Sequence, residues 1–213
     1  MERYIAPAIK SASTLTDEVL WESIMMGDEA SFALFVKKYS KTLFNYGHRL
    51  CDNRDFLKDC IQDLFVELWN RRCKIVATNH LKWYLFKSLR HTIFREQQKW
   101  SRNQPLNDEY DFIVEFDIEH HQIIDDEEKA LTQKVKKTLE YLPHRQKEII
   151  YLRYFEGLPF DDIAQIMDIS KQSVHNLLQK SYKNFRKKWC VSENYTLATS
   201  SYVILLSLIF NNL

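Results

Sequence analysis

The chain has 213 residues, with 30 Lys+Arg against 29 Asp+Glu, and only three glycines and four prolines. That length admits one large domain or two small ones, and so few turn residues argue against a β-rich architecture and for an all-α one. The net charge of +1 excludes a uniformly basic or acidic chain, but it averages over a purely acidic stretch and a purely basic one.

At the amino terminus, MERYIAPAIKSAS lacks the apolar run of a secretory signal, so a cytoplasmic protein is expected. Cys51, Cys60, Cys73 and Cys190 form no CxxC pair and no metal-ligand spacing with histidine. Reduced, mostly buried thiols are the reading they support. Phe32, Phe35, Tyr39, Leu43, Tyr46 and Leu50 then step by three or four, which predicts a long amphipathic helix. The stretch CDNRD at Cys51–Asp55 ends it and starts another over about Asp55–Arg72, with Leu57, Ile61, Leu64, Phe65 and Leu68 inward. A third helix, roughly His80–Lys99, keeps Leu81, Leu85, Leu89 and Ile93 on one side. Three such helices predict a compact bundle over residues 17–100.

From Asn107 to Glu128 there are ten acidic residues and no Lys or Arg, without helical period. An acidic linker is expected over 101–126. His120 and His121 lie there beside Asp125 and Asp126, but adjacent histidines diverge and no second ligand pair matches them, so no metal site is assigned.

Helical spacing resumes at Leu131, Val135, Leu139 and Leu142, opening a second unit over 127–190. Pro143 starts a helix with Ile149, Ile150, Leu152 and Tyr154 inward, and Gly157 is placed to end it. A short helix over Asp161–Met167 buries Ile163, Ala164 and Met167, and after "DIS" Ser170 is placed to cap a long basic helix. Short helix, tight turn and amphipathic third helix make a helix-turn-helix unit. Ser170–Trp189 carries six basic side chains and no acidic one. With Val174, Leu178, Phe185 and Trp189 turned inward, Lys171, Gln172, His175, Asn176, Gln179, Lys180 and Lys183 face outward. Gln, Asn and Lys supply donors for base edges, and Lys neutralises phosphates. A merely solvated face would ordinarily mix in acids for pairing, so their absence favours an anionic ligand, duplex DNA.

At these residues the chain resembles a known family. LPHRQKEIIYLRYFEGLPFDDIAQIMDISKQSVHNLLQKSYKNFRKK is similar to region four of the sigma-70 family in its extracytoplasmic-function (ECF) branch. Leu142, Pro143, Arg145, Gln146, Glu148, Gly157, Ile163, Ala164, Ile169, Ser170 and Val174 sit where that pattern expects them. DCIQDLFVELWNRR resembles the polymerase-binding helix of region two, and WYLFKSLRHTIFREQQK the element that engages the promoter −10 region. The resemblance covers roughly Phe32–Trp189.

It implies an all-α protein: a region-two bundle, the linker, and a region-four helix-turn-helix domain. It further implies a sigma factor that binds core RNA polymerase and directs promoter-specific initiation. Asp59, Gln62, Asp63 and Val66 would form the polymerase stripe. Lys82, Lys87, Arg90 and Arg95 would take phosphates at the −10 element, beside His91, while Trp83 and Tyr84 would either stack bases or pack in the core. Lys171, Gln172, Ser173, His175, Asn176, Gln179, Lys180 and Lys183 would read the −35 element. Promoter DNA, core polymerase and an anti-sigma factor are the implied partners, with no small-molecule substrate and no cofactor. The chain departs from the family pattern at Lys58, His91, Asp168 and Leu177. Those departures bear on promoter preference, and Asp168 tolerates the left-handed turn conformation.

Two other readings compete. A helix-turn-helix regulator with a helical sensor domain would share the carboxy-terminal unit but would not bind core polymerase. An enzyme would need a phosphate-binding glycine loop, a nucleophile elbow or metal spacing, and none is present in the sequence. The tail, 191–213, ends in an apolar run, Tyr202–Phe210, that is too short for the ~20 residues of a membrane span. It is expected to pack on the protein's own helices or on a partner, masking a binding face, with membrane association as the weaker alternative.

Overall fold

In the computed structural model of the protein, residues 16–75, 81–100, 112–113 and 126–191 are described. Among them every regular element is helical. The expected metal-free histidine pair in the linker and the apolar tail lie outside the described residues.

The first helix, α1 (Asp17–Met25), sets Asp17 and Glu18 in its first turn, where carboxylates complement the helix dipole. It buries Leu20, Trp21 and Ile24. The sequence reading placed no helix here, because three apolar positions in nine residues are a short signal. Asp17 ties α1 to the next helix, accepting from Lys38 Nζ and Tyr39 Oη, each at 2.6 Å. That helix, α2 (Glu29–Leu50), is capped by Asp28, whose carboxylate accepts the Ser31 N–H at 3.0 Å. The hydrogen bonds from Ser31 hold the Asp28 pKa below the usual carboxylate value.

Next, α3 (Arg54–Arg71) starts on Asn53, which accepts from the Phe56 N–H at 3.1 Å. Where α2 packs on α3, a Cβ at Gly47 would run into Leu57 Cδ1, so any larger residue would force that buried leucine to shift. The fourth helix, α4 (Leu81–Trp100), closes the bundle with Leu81, Leu85, Phe86, Leu89 and Ile93 buried. Four helices thus wrap one core, in which Phe35, Leu43, Tyr46, Leu57, Leu85 and Leu89 are fully enclosed.

The second unit begins with α5 (Asp126–Glu140), followed by α6 (His144–Ile150). Tyr151–Phe155 continues α6 as a π-helical turn, closed by Glu156 N–H to the Tyr151 carbonyl at 3.1 Å. Gly157 follows at φ +66, a backbone region that glycine enters without penalty. Then come α7 (Phe160–Met167) and the long α8 (Lys171–Val191). Of the residues expected inward, Ile149, Ile150, Leu152, Ile163, Ala164, Met167, Val174, Leu178 and Phe185 are buried, while Tyr154 and Trp189 are only partly so. Asn184 Nδ2 donates to Gln146 Oε1 at 3.0 Å, pinning α8 to α6.

The units pack on each other, α4 lying against α7 and the end of α2 against α6. Between them sits Phe112, completely buried although it lies in a segment dense in acid. Its N–H donates to His144 Nδ1 at 3.0 Å, while Ile113 and Arg49 exchange hydrogen bonds, each at 3.0 Å. The segment read as a solvated linker therefore contributes one core residue. Among the described residues no helix is long and apolar enough to cross a membrane.

Candidate nucleic-acid interface and docking groove

The turn joining α7 to α8 is built on Asp168, at φ 54 and ψ 50. Only glycine enters this region freely, and aspartate is among the few others that tolerate it. Ile169 N–H then donates to the Ala164 carbonyl at 3.1 Å, so the chain reverses within three residues. Ser170 Oγ accepts the Ser173 N–H at 3.1 Å and caps α8, with the two hydroxyls 2.8 Å apart. Ser173 is thereby held by the cap as well as exposed.

Beyond the cap, α8 divides by period. Val174, Leu178, Ser181 and Phe185 are buried, whereas Lys171, Gln172, Asn176, Gln179, Lys180 and Lys183 are exposed. Gln172 Nε2 donates to Asn176 Oδ1 at 3.2 Å, setting two amides side by side on the outer face. Lys171 pairs with Asp161 of α7 at 2.9 Å, in solvent, where such a pair contributes little. His175 is half-buried, its ring edge-on to Phe160. Trp189 stacks on Phe185 at 5.7 Å.

On α3, Asp59, Gln62, Asp63 and Val66 are all exposed and fall on one stripe. Beside the stripe runs an open groove of about 830 Å³ between α2 and α3, walled by Phe32, Val36, Phe44, Ile61, Phe65 and Trp69. Gln62 and Val66 form its rim. The stripe is therefore half of a larger surface, a polar edge beside an apolar floor. On the same helix Cys60 is buried, and burial pushes its thiol up to about 11, with Cys51 and nearby carboxylates adding to the effect. Such a thiol stays protonated and unreactive at neutral pH. Cys51 is half-buried and Cys73 exposed, so burial of the thiols is not uniform.

Lys82, Lys87 and Arg90 of α4 point toward the second unit. Lys82 Nζ meets Glu156 Oε2 at 2.8 Å and the Glu156 carbonyl at 2.8 Å. Lys87 Nζ donates to Gln165 Oε1 at 3.3 Å, 5.9 Å from the Trp83 ring. Arg90 Nε donates to Glu148 Oε1 at 2.9 Å. Trp83 and Tyr84 are half-buried and edge-on to each other, while His91 and Arg95 are exposed.

A family model described as sigma-70, region 4, matches residues 132–185, from the middle of α5 to near the end of α8. The ECF RNA polymerase sigma-E factor of Haemophilus influenzae is 24% identical over 188 residues, covering 83% of this chain and 97% of that protein. Its Escherichia coli K12 counterpart is 26% identical over 162 residues, covering 72% and 84%. Residues 132–185 thus match sigma-70 region 4, and over most of its length the chain is similar to ECF sigma-E factors.

Two solved structures share its fold. CnrH, in complex with the cytosolic domain of CnrY, aligns with a TM-score of 0.54 at 15% identity, over 84% of this chain and 100% of that one. RpoE from Bartonella quintana, in complex with the anti-sigma factor NepR, aligns at 0.54 and 18%, over 76% and 98%.

Three features of this chain escaped the sequence reading. Phe32, Val36, Ser40 and Phe44 step by four along α2 and line the groove, a stripe adjacent to the one turned into the core. Its signal was present but merged with the core stripe. Phe112 had no signal beyond a three-residue apolar run, Phe112-Ile113-Val114, inside an acidic segment. Glu148, wholly buried, is a charge whose partners lie on α2 and α4 and could not be inferred from its neighbours.

Proposed function

We propose that this protein is an ECF sigma factor that docks on core RNA polymerase through α2 and α3 and reads promoters with α4 and α8. The observation that carries the reading is the outer face of α8: an exposed run of amides and lysines without an acid, held by a capped helix-turn-helix turn. Gln172 and Asn176 suit base edges of the −35 element in a major groove, and Gln179, Lys180 and Lys183 suit flanking phosphates. Lys82, Lys87, Arg90 and His91 are assigned to the −10 element, with Trp83 and Tyr84 as stacking surface for separated bases. Asp59, Gln62, Asp63 and Val66 are assigned to polymerase, with the apolar groove beside them.

On this reading the chain divides into region two (17–100), linker (101–126), region four (127–190) and tail (191–213). It acts in the cytoplasm, without catalysis or cofactor of its own. An anti-sigma factor is the expected regulator, since the Bartonella relative of similar fold was solved with one.

Reconstitution tests the proposal. Core polymerase incubated with the protein should initiate from a subset of a random promoter library, and 5′-end mapping should place two recurring elements upstream of each start. Binding of the same DNA by the protein alone, with no association with core polymerase, would identify a helix-turn-helix regulator instead.

A further inference from the structure

Two strongly apolar features of the chain lie outside its cores. The first is the α2–α3 groove, where Phe32 meets Trp69 with ring centroids 4.8 Å apart and stands edge-on to Phe65 at 6.4 Å. Phe32, Val36, Phe44 and Trp69 are each only half-buried there, and the charged residues of the lining, Glu29, Lys41 and Lys58, are all exposed. The second is Tyr202–Phe210, YVILLSLIF, which carries eight apolar residues, one serine and no charge, and lies outside the described residues. Residues 192–201 separate it from the end of α8 at Val191. Those ten residues reach ~33 Å when extended. Asn184 pins α8 to α6, and Glu148 pins α6 to Tyr46 of α2, two residues from Phe44 in the groove. Two helix spacings of ~8–10 Å, with the ~10 Å of α8 past Asn184, leave the Phe44 end of the groove within that reach. Along α2 the groove runs from Phe32 to Phe44, ~18 Å at the helical rise, which is room for a nine-residue run.

We propose that the α2–α3 groove is the docking site of the chain's own Tyr202–Phe210, seated against Phe32, Phe44 and Trp69. Each surface alone would be an apolar patch of the kind that soluble monomers seldom leave in water, and their union removes both from it. The tether makes the contact intramolecular, with an effective concentration on the order of mM, so a modest apolar contact keeps the groove filled. An uncharged segment also suits this floor better than a charged one, because no charge has to leave water to enter it. Only the consequence for polymerase rests on the reading of the groove given above. A seated tail and polymerase contend for one surface, so a polymerase contact that uses the groove must first displace the tail.

The test uses the full-length chain with a photoreactive benzophenone side chain in place of Leu206. Irradiation followed by peptide mapping should join position 206 to α2 between Phe32 and Phe44 or to α3 between Ile61 and Trp69, in products of monomer mass at every protein concentration. Val36→Glu puts a charge on the groove wall and should abolish that cross-link while helical circular dichroism stays unchanged. A cross-link that persists in folded Val36→Glu, or that maps elsewhere on the chain, would overturn the proposal. Products of dimer mass would give the groove to a second copy, and loss of the cross-link with co-sedimentation on phospholipid vesicles would give the tail to a membrane; either overturns it too. Separately, Leu206→Asp combined with Ile209→Asp should tighten association with core polymerase about tenfold, the gain expected when the competent form rises from a tenth of the population to nearly all of it. The groove cross-link without that gain would keep the tail in its seat and overturn the assignment of the groove to polymerase.

Discussion

The imidazole of His175 stands edge-on to the ring of Phe160, with 4.3 Å between centroids and 73° between planes. Phe160 opens α7 and His175 lies in the second turn of α8, so this contact sets the angle at which α8 is presented. The guanidinium of Arg153 lies over the Phe160 ring at 4.7 Å and holds it in place. His175→Ala should lower stability by ~0.5–1.5 kcal/mol, the range for an aromatic pair. It should also weaken DNA binding on every promoter alike, because the whole helix loses its fixed angle. Urea unfolding and binding to two unrelated promoters check this; a loss confined to one base position would make His175 a base reader.

Asp168 carries the turn with a left-handed backbone. Asp168→Gly should be tolerated, because glycine adopts that conformation without steric penalty. Asp168→Val should cost ~1–2 kcal/mol, since a β-branched side chain clashes with the backbone there. Denaturation midpoints of the two variants decide it, and equal midpoints would mean that the turn relaxes to another conformation.

Val66 is 53% exposed on the rim of the α2–α3 groove, with Asp63 one turn before it. Val66→Glu and Asp63→Arg should each leave the helical circular dichroism unchanged, because neither side chain packs in the core. Both should weaken association with core polymerase, by ~1–2 kcal/mol if the groove is central to the contact. Pull-down at wild-type level by either folded variant would remove that residue from the docking surface.

Gln172 and Asn176 should behave differently from Lys180 and Lys183. Replacing either amide by Ala should relax preference at one position of the upstream element, by ~1–3 kcal/mol for a bidentate contact. Lys180→Ala or Lys183→Ala should weaken binding to all sequences and flatten its salt dependence. Affinity across promoter variants at two salt concentrations separates the two kinds of contact. A uniform loss from Gln172→Ala would convert it to a phosphate contact.

The helices were legible because their information is local. The apolar period of α2, α3, α4 and α8 is written in side chains three or four apart, and Asn53, Asp168 and Ser170 act on backbone within three residues of themselves. The acid-free face of α8 follows from the same period, so the site could be proposed from residue types and spacing. Boundaries moved by one residue where end turns form without apolar signal, and α1 went unread because nine residues carry too few periods.

Relations between helices were not legible. Tyr46 and Glu148 are 102 positions apart, and neither residue announces the other. A buried carboxylate is stable only where partners from other helices supply hydrogen bonds and charge, so its burial depends on how two units meet. The groove likewise is lined by residues of both α2 and α3, so neither helix's stripe shows it alone. Period within a helix is a property of consecutive residues; which cations of α4 stay exposed is a property of what packs against them.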